Sequence, residues 1–158
     1  MNILIAIHVT SGLIGIAAGL IVVAGMFRRK AMNRWFAIFL ATTSTAICVG
    51  FYFLPIYGFT TAQLVSVFTT VFLLVAAYAR YFRRSAGSWN QICAVSTVAA
   101  LYLNVLITIT QSFQHVRFLR SFSTVPGIPV YVIIKFAALF LFIAIGFFAA
   151  RRSADHRV

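Results

Sequence analysis

Acidic residues are nearly missing from this chain. Asp155 stands alone against thirteen Lys and Arg in 158 residues, a formal net charge of +12. Proton-coupled transport normally depends on a buried Asp or Glu, and no acid precedes the tail. Charge of either sign is scarce, at 9% of residues, while 63% are hydrophobic and the mean hydropathy is +1.03. So little polar surface cannot clothe a soluble domain of this size, which points to the bilayer. Cysteine is limited to Cys48 and Cys93, both inside apolar runs and without CxxC spacing, so neither a disulfide framework nor a thiolate metal site is indicated. Glycine-rich phosphate loops and HExxH are absent. Three histidines, one of them in the tail, are too few for a zinc cluster.

What is present is a series of five apolar segments, roughly 3–26, 35–53, 60–82, 91–113 and 129–150, each near the ~20 residues that a helix needs to cross a hydrocarbon core. Open strands cannot satisfy their backbone in lipid, and no period-two alternation runs through the chain. The expected fold is therefore one all-α, five-helix transmembrane domain over residues 1–158. Basic residues set its orientation. Arg28, Arg29, Lys30 and Arg34 fill the first connection, Arg80, Arg83 and Arg84 the third, and Arg151, Arg152 and Arg157 the tail. The positive-inside rule puts those three sites in the cytoplasm and the N-terminus outside, and a basic balance of this kind meets anionic headgroups rather than nucleic acid. Trp35 and Trp89, each just after an inner basic loop, fit an interfacial aromatic belt. No charge precedes the first apolar core and Arg28-Arg29-Lys30 follows it, so it reads as a retained span rather than a secretory signal.

Three features carry candidate chemistry. In the first span His8, Ser11, Gly12, Gly15 and Gly19 recur at helical spacing, so the ionisable ring shares a stripe with small residues that admit a neighbouring backbone. In the fourth span Cys93, Thr97, Ala100, Asn104, Thr108, Gln111 and His115 fall on one face, which must meet other helices or a hydrated cavity. In the fifth, Lys135 lies six residues past Pro129, roughly 9 Å from that helix end, with Tyr131 one turn before it. His8 lies six residues past Asn2, at about the same depth. An intramembrane lysine without an acid either serves a function or snorkels to the headgroups. Between Gln114 and Pro129, Arg117 and Arg120 alternate with Phe118, Leu119 and Phe122, a pattern suited to a short interfacial element over the external end.

The opening Ile7-His8-Val9-Thr10-Ser11-Gly12-Leu13-Ile14-Gly15, followed by the basic loop, resembles small bacterial predicted inner-membrane proteins of unknown function that begin with a His-x-x-Ser/Ala-Gly helix. The likeness implies a multi-pass protein of the bacterial cytoplasmic membrane and supplies no reaction. Such proteins often carry a histidine in the basic loop, where this chain has Asn33.

Three functions remain open. The first is an outward-facing pocket for a lipophilic anionic or quinone-like molecule, or a lipid, lined by His8, Ser11, Asn104, Thr108, Gln111, His115, Arg117, Arg120, Tyr131 and Lys135. The second is an accessory subunit acting through helix packing, with a partner subunit or with its own copies. The third is a haem b electron-transfer protein with His8 and His115 as axial ligands.

Overall fold

The computed structural model describes residues 3–28, 30, 32–53, 61–84, 87–115 and 130–154. Five helices among them are long and apolar enough to cross a membrane. They are α1 (Ile3–Phe27), α2 (Asn33–Cys48, continued by a π turn at Val49–Phe53), α3 (Thr61–Ala77, continued by a π turn at Tyr78–Phe82), α4 (Ser88–His115) and α5 (Val130–Ala154). The boundaries agree with the five apolar segments of the sequence to within a few residues, because length and apolarity alone decide which stretches satisfy their backbone in lipid. At Gly87, φ is +55°, a left-handed turn that favours glycine and sits directly ahead of α4.

Successive helices run antiparallel. On α1, Gly15 lies against Thr42 and Thr43 of α2, and Gly19 against Phe39, so the order of contacts reverses between the two helices. Arg80 in α3 donates from Nη2 to Asn33 Oδ1 at the start of α2, 2.6 Å away. Cys93 of α4 approaches the Ala76 carbonyl of α3. On the other flank of α4, Val98 meets Gly146, the Tyr102 ring is 5.6 Å from that of Phe142, and the Phe113 ring is 6.1 Å from that of Tyr131. The helix N-terminus of α1, the π turn of α2 and the C-terminal part of α4 therefore share one end of the bundle, called here the His8 end. Arg28, Arg80, Arg83, Arg151 and Arg152 mark the other, the arginine end.

α4 is the central helix. Of its most apolar window 44% is buried, against 11–28% in the other four. It packs on α1, α3 and α5, with Leu101 fully enclosed beside Gly19 and Phe39. In lipid such packing is driven by close van der Waals contact rather than by escape from water, which explains the glycines on α1. Hydroxyls within the helices largely serve their own backbone: Ser11, Thr69 and Thr97 each donate to the carbonyl one turn back.

At the arginine end, Arg80, Arg83 and Arg152 have neutral neighbours. The Arg80 guanidinium carbon lies 4.7 Å from the Phe36 ring centroid, Arg83 lies 4.9 Å from Trp89, and Arg152 donates to the Phe27 carbonyl. Arg80 Nε is buried without a hydrogen-bond partner.

Candidate functional site

Fully buried packing stops partway along each helix. The last buried residues toward the His8 end are Ser11 in α1, Ala46 in α2, Thr69 in α3, Asn104 in α4 and Phe142 in α5. Beyond them no described side chain is buried, even on central α4, where every residue from Val105 to Phe113 is half-exposed. The bundle thus has a packed tier and an open tier. Polar side chains singled out in the sequence collect in the open tier or on its floor.

His8 occupies the α1–α2 seam. Its Nδ1 donates to the Ala46 carbonyl at 2.8 Å, and its ring packs so closely on Gly50 that a Cβ there would sit 2.8 Å from Cε1. Gly50 belongs to the π turn Val49–Phe53, a wider turn than an α-helix makes and one frequent at functional sites. With Nδ1 as donor, the uncharged ring carries its lone pair on Nε2, so the seam sets the tautomer.

About 10 Å further into the bundle, at seven residues of 1.5 Å, lies the floor. Asn104 Nδ2 stands 3.5 Å from Thr43 Oγ1, and both face Gly15. Between the floor and His8 comes Gly12, where a Cβ would meet nothing within 4 Å, in contrast to the tight packing at Gly15 and Gly19. The stripe of small residues is therefore taken up inside the chain at Gly15 and Gly19 and left open at Gly12.

Lys135 is half-buried and lies on the stripe of α5 that faces α4, together with Tyr131, Phe142, Gly146 and Ala149. Its flanks Ile133, Ile134 and Phe136 are exposed. The ammonium turns back along the helix to lie 5.1 Å from the Tyr131 ring centroid, the direction in which helical side chains lean and in which a snorkelling lysine reaches. Counting along the antiparallel pairs, from Gly15 at Asn104 and from Gly146 at Val98, places His8 level with Gln111 and Lys135 level with Ile109. The equal depth expected for His8 and Lys135 holds to within about 3 Å.

Their sides differ. The polar stripe of α4 turns to α1, α2 and α3, through Asn104 with Gly15 and Thr43 and through Cys93 with Ala76. The α5 stripe that carries Lys135 packs, through Tyr131, Phe142 and Gly146, on Phe113, Tyr102 and Val98, roughly 140° round α4 at 3.6 residues per turn. No contact links Lys135 to His8 or Asn104 among the described residues, so the two sets share a level and are separated by α4.

Other candidates divide as follows. Ser11 and Thr108 donate their protons to carbonyls of their own helices, Ile7 and Asn104, which leaves only lone pairs for anything else. Gln111 is half-buried and already engaged. His115 closes α4, but its side chain, like Arg117, Arg120 and the interfacial element around them, lies outside the described residues.

Sequence reasoning placed any pocket at the external end and missed a groove at the arginine end. A cleft of about 630 Å³ lies there, lined by Gln91, Ser96 and Arg151 among apolar neighbours of α4 and α5. Only the basic tail hinted at it, since Ser96 lies off the polar stripe of α4. No group of three or more His, Cys, Asp or Glu capable of holding a metal ion occurs among the described residues. The chain matches no protein-family profile, no curated protein and no solved structure.

Proposed function

We propose that this protein binds the polar head of a lipophilic molecule, anionic or quinone-like, in the open tier at the His8 end. The reading rests on one observation: buried packing ends at Ser11, Ala46, Thr69, Asn104 and Phe142, and the groups beyond include a preset imidazole and a lone ammonium. His8 Nε2 accepts a proton from a hydroxyl of the ligand and Asn104 forms the polar floor, both on the α1–α2 side of α4, while Lys135, at a similar level across α4, draws anionic molecules to this end of the bundle. Half-exposed apolar walls take the tail, as in most lipophilic pockets. With the arginine end in the cytoplasm of a bacterial cell, the site opens to the outer leaflet. On that side of α4 the proposed contacts are His8, Ser11, Asn104, Thr108 and Gln111; Tyr131 and Lys135 lie across α4, and His115, Arg117 and Arg120 belong to the proposal from the sequence alone.

The test is extraction of the purified protein followed by mass spectrometry of copurifying lipids and quinones. Gly12→Leu grows a side chain into space that a Cβ finds empty, and should cut the retained ligand about tenfold while the melting temperature stays within a few degrees. Lys135→Met should alter which ligand is retained. Unchanged amount and identity in both variants would end the proposal.

A second reading has its own support. Ligating histidines commonly donate their other ring nitrogen to a backbone carbonyl, as His8 does to Ala46. A haem b held by His8 and His115 would give a Soret band after haem-supplemented expression, and a colourless preparation removes it.

A further inference from the structure

The groove between α4 and α5 at the arginine end has a polarity gradient along its length. Its rim carries Gln91 and Arg151, its middle Ser96, and its walls Ile92, Val95, Phe147 and Ala150. Ile92, Val95 and Phe147 are 37%, 45% and 51% exposed, so this flank of the seam opens to the bilayer. Toward the membrane centre the helices close up, where Val98 lies within contact distance of a Cβ at Gly146. On the opposite flank Asn90 Nδ2 donates to the Ser153 carbonyl at 3.0 Å and ties the helix ends together. The groove is thus closed at its inner end, fixed in width and open sideways.

Its polar groups are disposed for an external partner. Arg152 is used on the Phe27 carbonyl, whereas Arg151 is exposed, with its guanidinium carbon 4.1 Å from the Phe147 ring centroid. Ser96 is 5% exposed and lines the groove, yet no hydrogen bond of its hydroxyl is seen among the described residues, unlike the neighbouring Thr97 on the Cys93 carbonyl. No carboxylate precedes Asp155, so nothing within residues 1–154 competes for the guanidinium.

We propose that this groove is a binding site for one anionic phospholipid. Arg151 and Gln91 take the phosphate. Ser96, about 4.5 Å deeper by the antiparallel register of α4 and α5, donates to a glycerol ester carbonyl, which follows the phosphate inward in a lipid. One acyl chain lies along Ile92, Val95 and Phe147. A volume of about 630 Å³ is within the range of small-molecule sites, about 300–1,000 Å³. The occupant is anionic because Arg151 leaves the rim cationic, with no acid among the described residues, and the site is separate from the open tier at the other end.

Delipidated full-length protein, titrated by native mass spectrometry with phosphatidylglycerol and with phosphatidylcholine of matched chains, tests it. One phosphatidylglycerol should bind at roughly tenfold lower concentration than phosphatidylcholine, because both offer the phosphate but the choline cation of the second is repelled by the Arg151 guanidinium. Arg151→Gln should abolish that preference, while Arg34→Gln, remote from the groove, leaves it. Ser96→Ala should weaken both lipids a few-fold, and Ala150→Trp, which fills the groove, should remove the bound lipid. Equal affinities for the two lipids would overturn the proposal. So would an Arg151→Gln effect no larger than that of Arg34→Gln, which stands even if Ala150→Trp fails to fold. Displacement by millimolar inorganic phosphate would assign the site to a soluble anion, and a dimer abolished by Ala150→Trp would assign it to a second copy of the chain.

Discussion

Gly12 and Gly15 sit three residues apart on one helix and should respond oppositely to the same substitution. A Cβ at Gly15 would lie 2.7 Å from Thr43 Oγ1, 3.2 Å from Thr42 Oγ1 and 3.3 Å from Asn104 Nδ2. To restore an ordinary 3.4 Å, α1 and α2 must part by 0.7 Å, or Thr43 must turn. Thr43 is 1% exposed and β-branched, and Asn104 is 7% exposed, so neither has room to swing. Overpacking of this kind costs about 1–3 kcal/mol, against a gain of up to ~1 kcal/mol from replacing glycine by alanine in a helix. Gly15→Ala should therefore destabilise by ~1–2 kcal/mol. At Gly12 nothing opposes the methyl, and Gly12→Ala keeps the propensity gain of up to ~1 kcal/mol. The two variants should differ by ~2–3 kcal/mol in reversible SDS unfolding from mixed micelles, followed by far-ultraviolet circular dichroism. Gly19→Ala, facing Leu101 and Phe39 at 3.0 Å or less, should fall with Gly15→Ala. Equal stabilities for Gly12→Ala and Gly15→Ala would refute the account of where this helix is packed and where it is open.

Three further outcomes follow from the same contacts. Gly50→Ala places a methyl 3.1 Å from His8 Nδ1 and should push the imidazole off the Ala46 carbonyl, read as loss of the Nδ1–H tautomer in ¹⁵N NMR of the ring. Asn104→Leu removes a long bond to Thr43 and should cost about 1 kcal/mol or less, since interhelical hydrogen bonds in membranes average ~0.6 kcal/mol; the retained ligand should fall far more than the stability. In detergent, an apolar maleimide should label exposed Cys48 promptly and reach Cys93 only on unfolding, because Cys93 is 1% exposed beside Ala76.

The spans and their number were legible because bilayer thickness acts on one segment at a time. So was the depth of Lys135, which is a matter of counting from Pro129. The polar face of α4 was also legible as a face. What one chain does not encode locally is which neighbour each face meets. His8 and Lys135 could be set at comparable depths from their own helices, yet α5 approaches α4 from the Val98–Tyr102 side, and that choice is made by packing among all five helices. The π turns were invisible for a similar reason. Val49–Phe53 reads as an ordinary apolar stretch, and only the imidazole wedged at Gly50 and Ala46 gives its widened turn a purpose. Thr108, expected among pocket donors, gives its proton to Asn104, an option open to any threonine in a helix.

Four cations of this bundle rest on amides, carbonyls and aromatic rings: Arg80 on Asn33 and Phe36, Arg83 on Trp89, Arg152 on Phe27 and Lys135 on Tyr131. None of those acceptors gains or loses a proton in mildly acidic or alkaline surroundings. The joints at the arginine end accordingly hold across that range, and their positive charge, met by no acid among the described residues, stays at full strength toward the membrane surface that faces it.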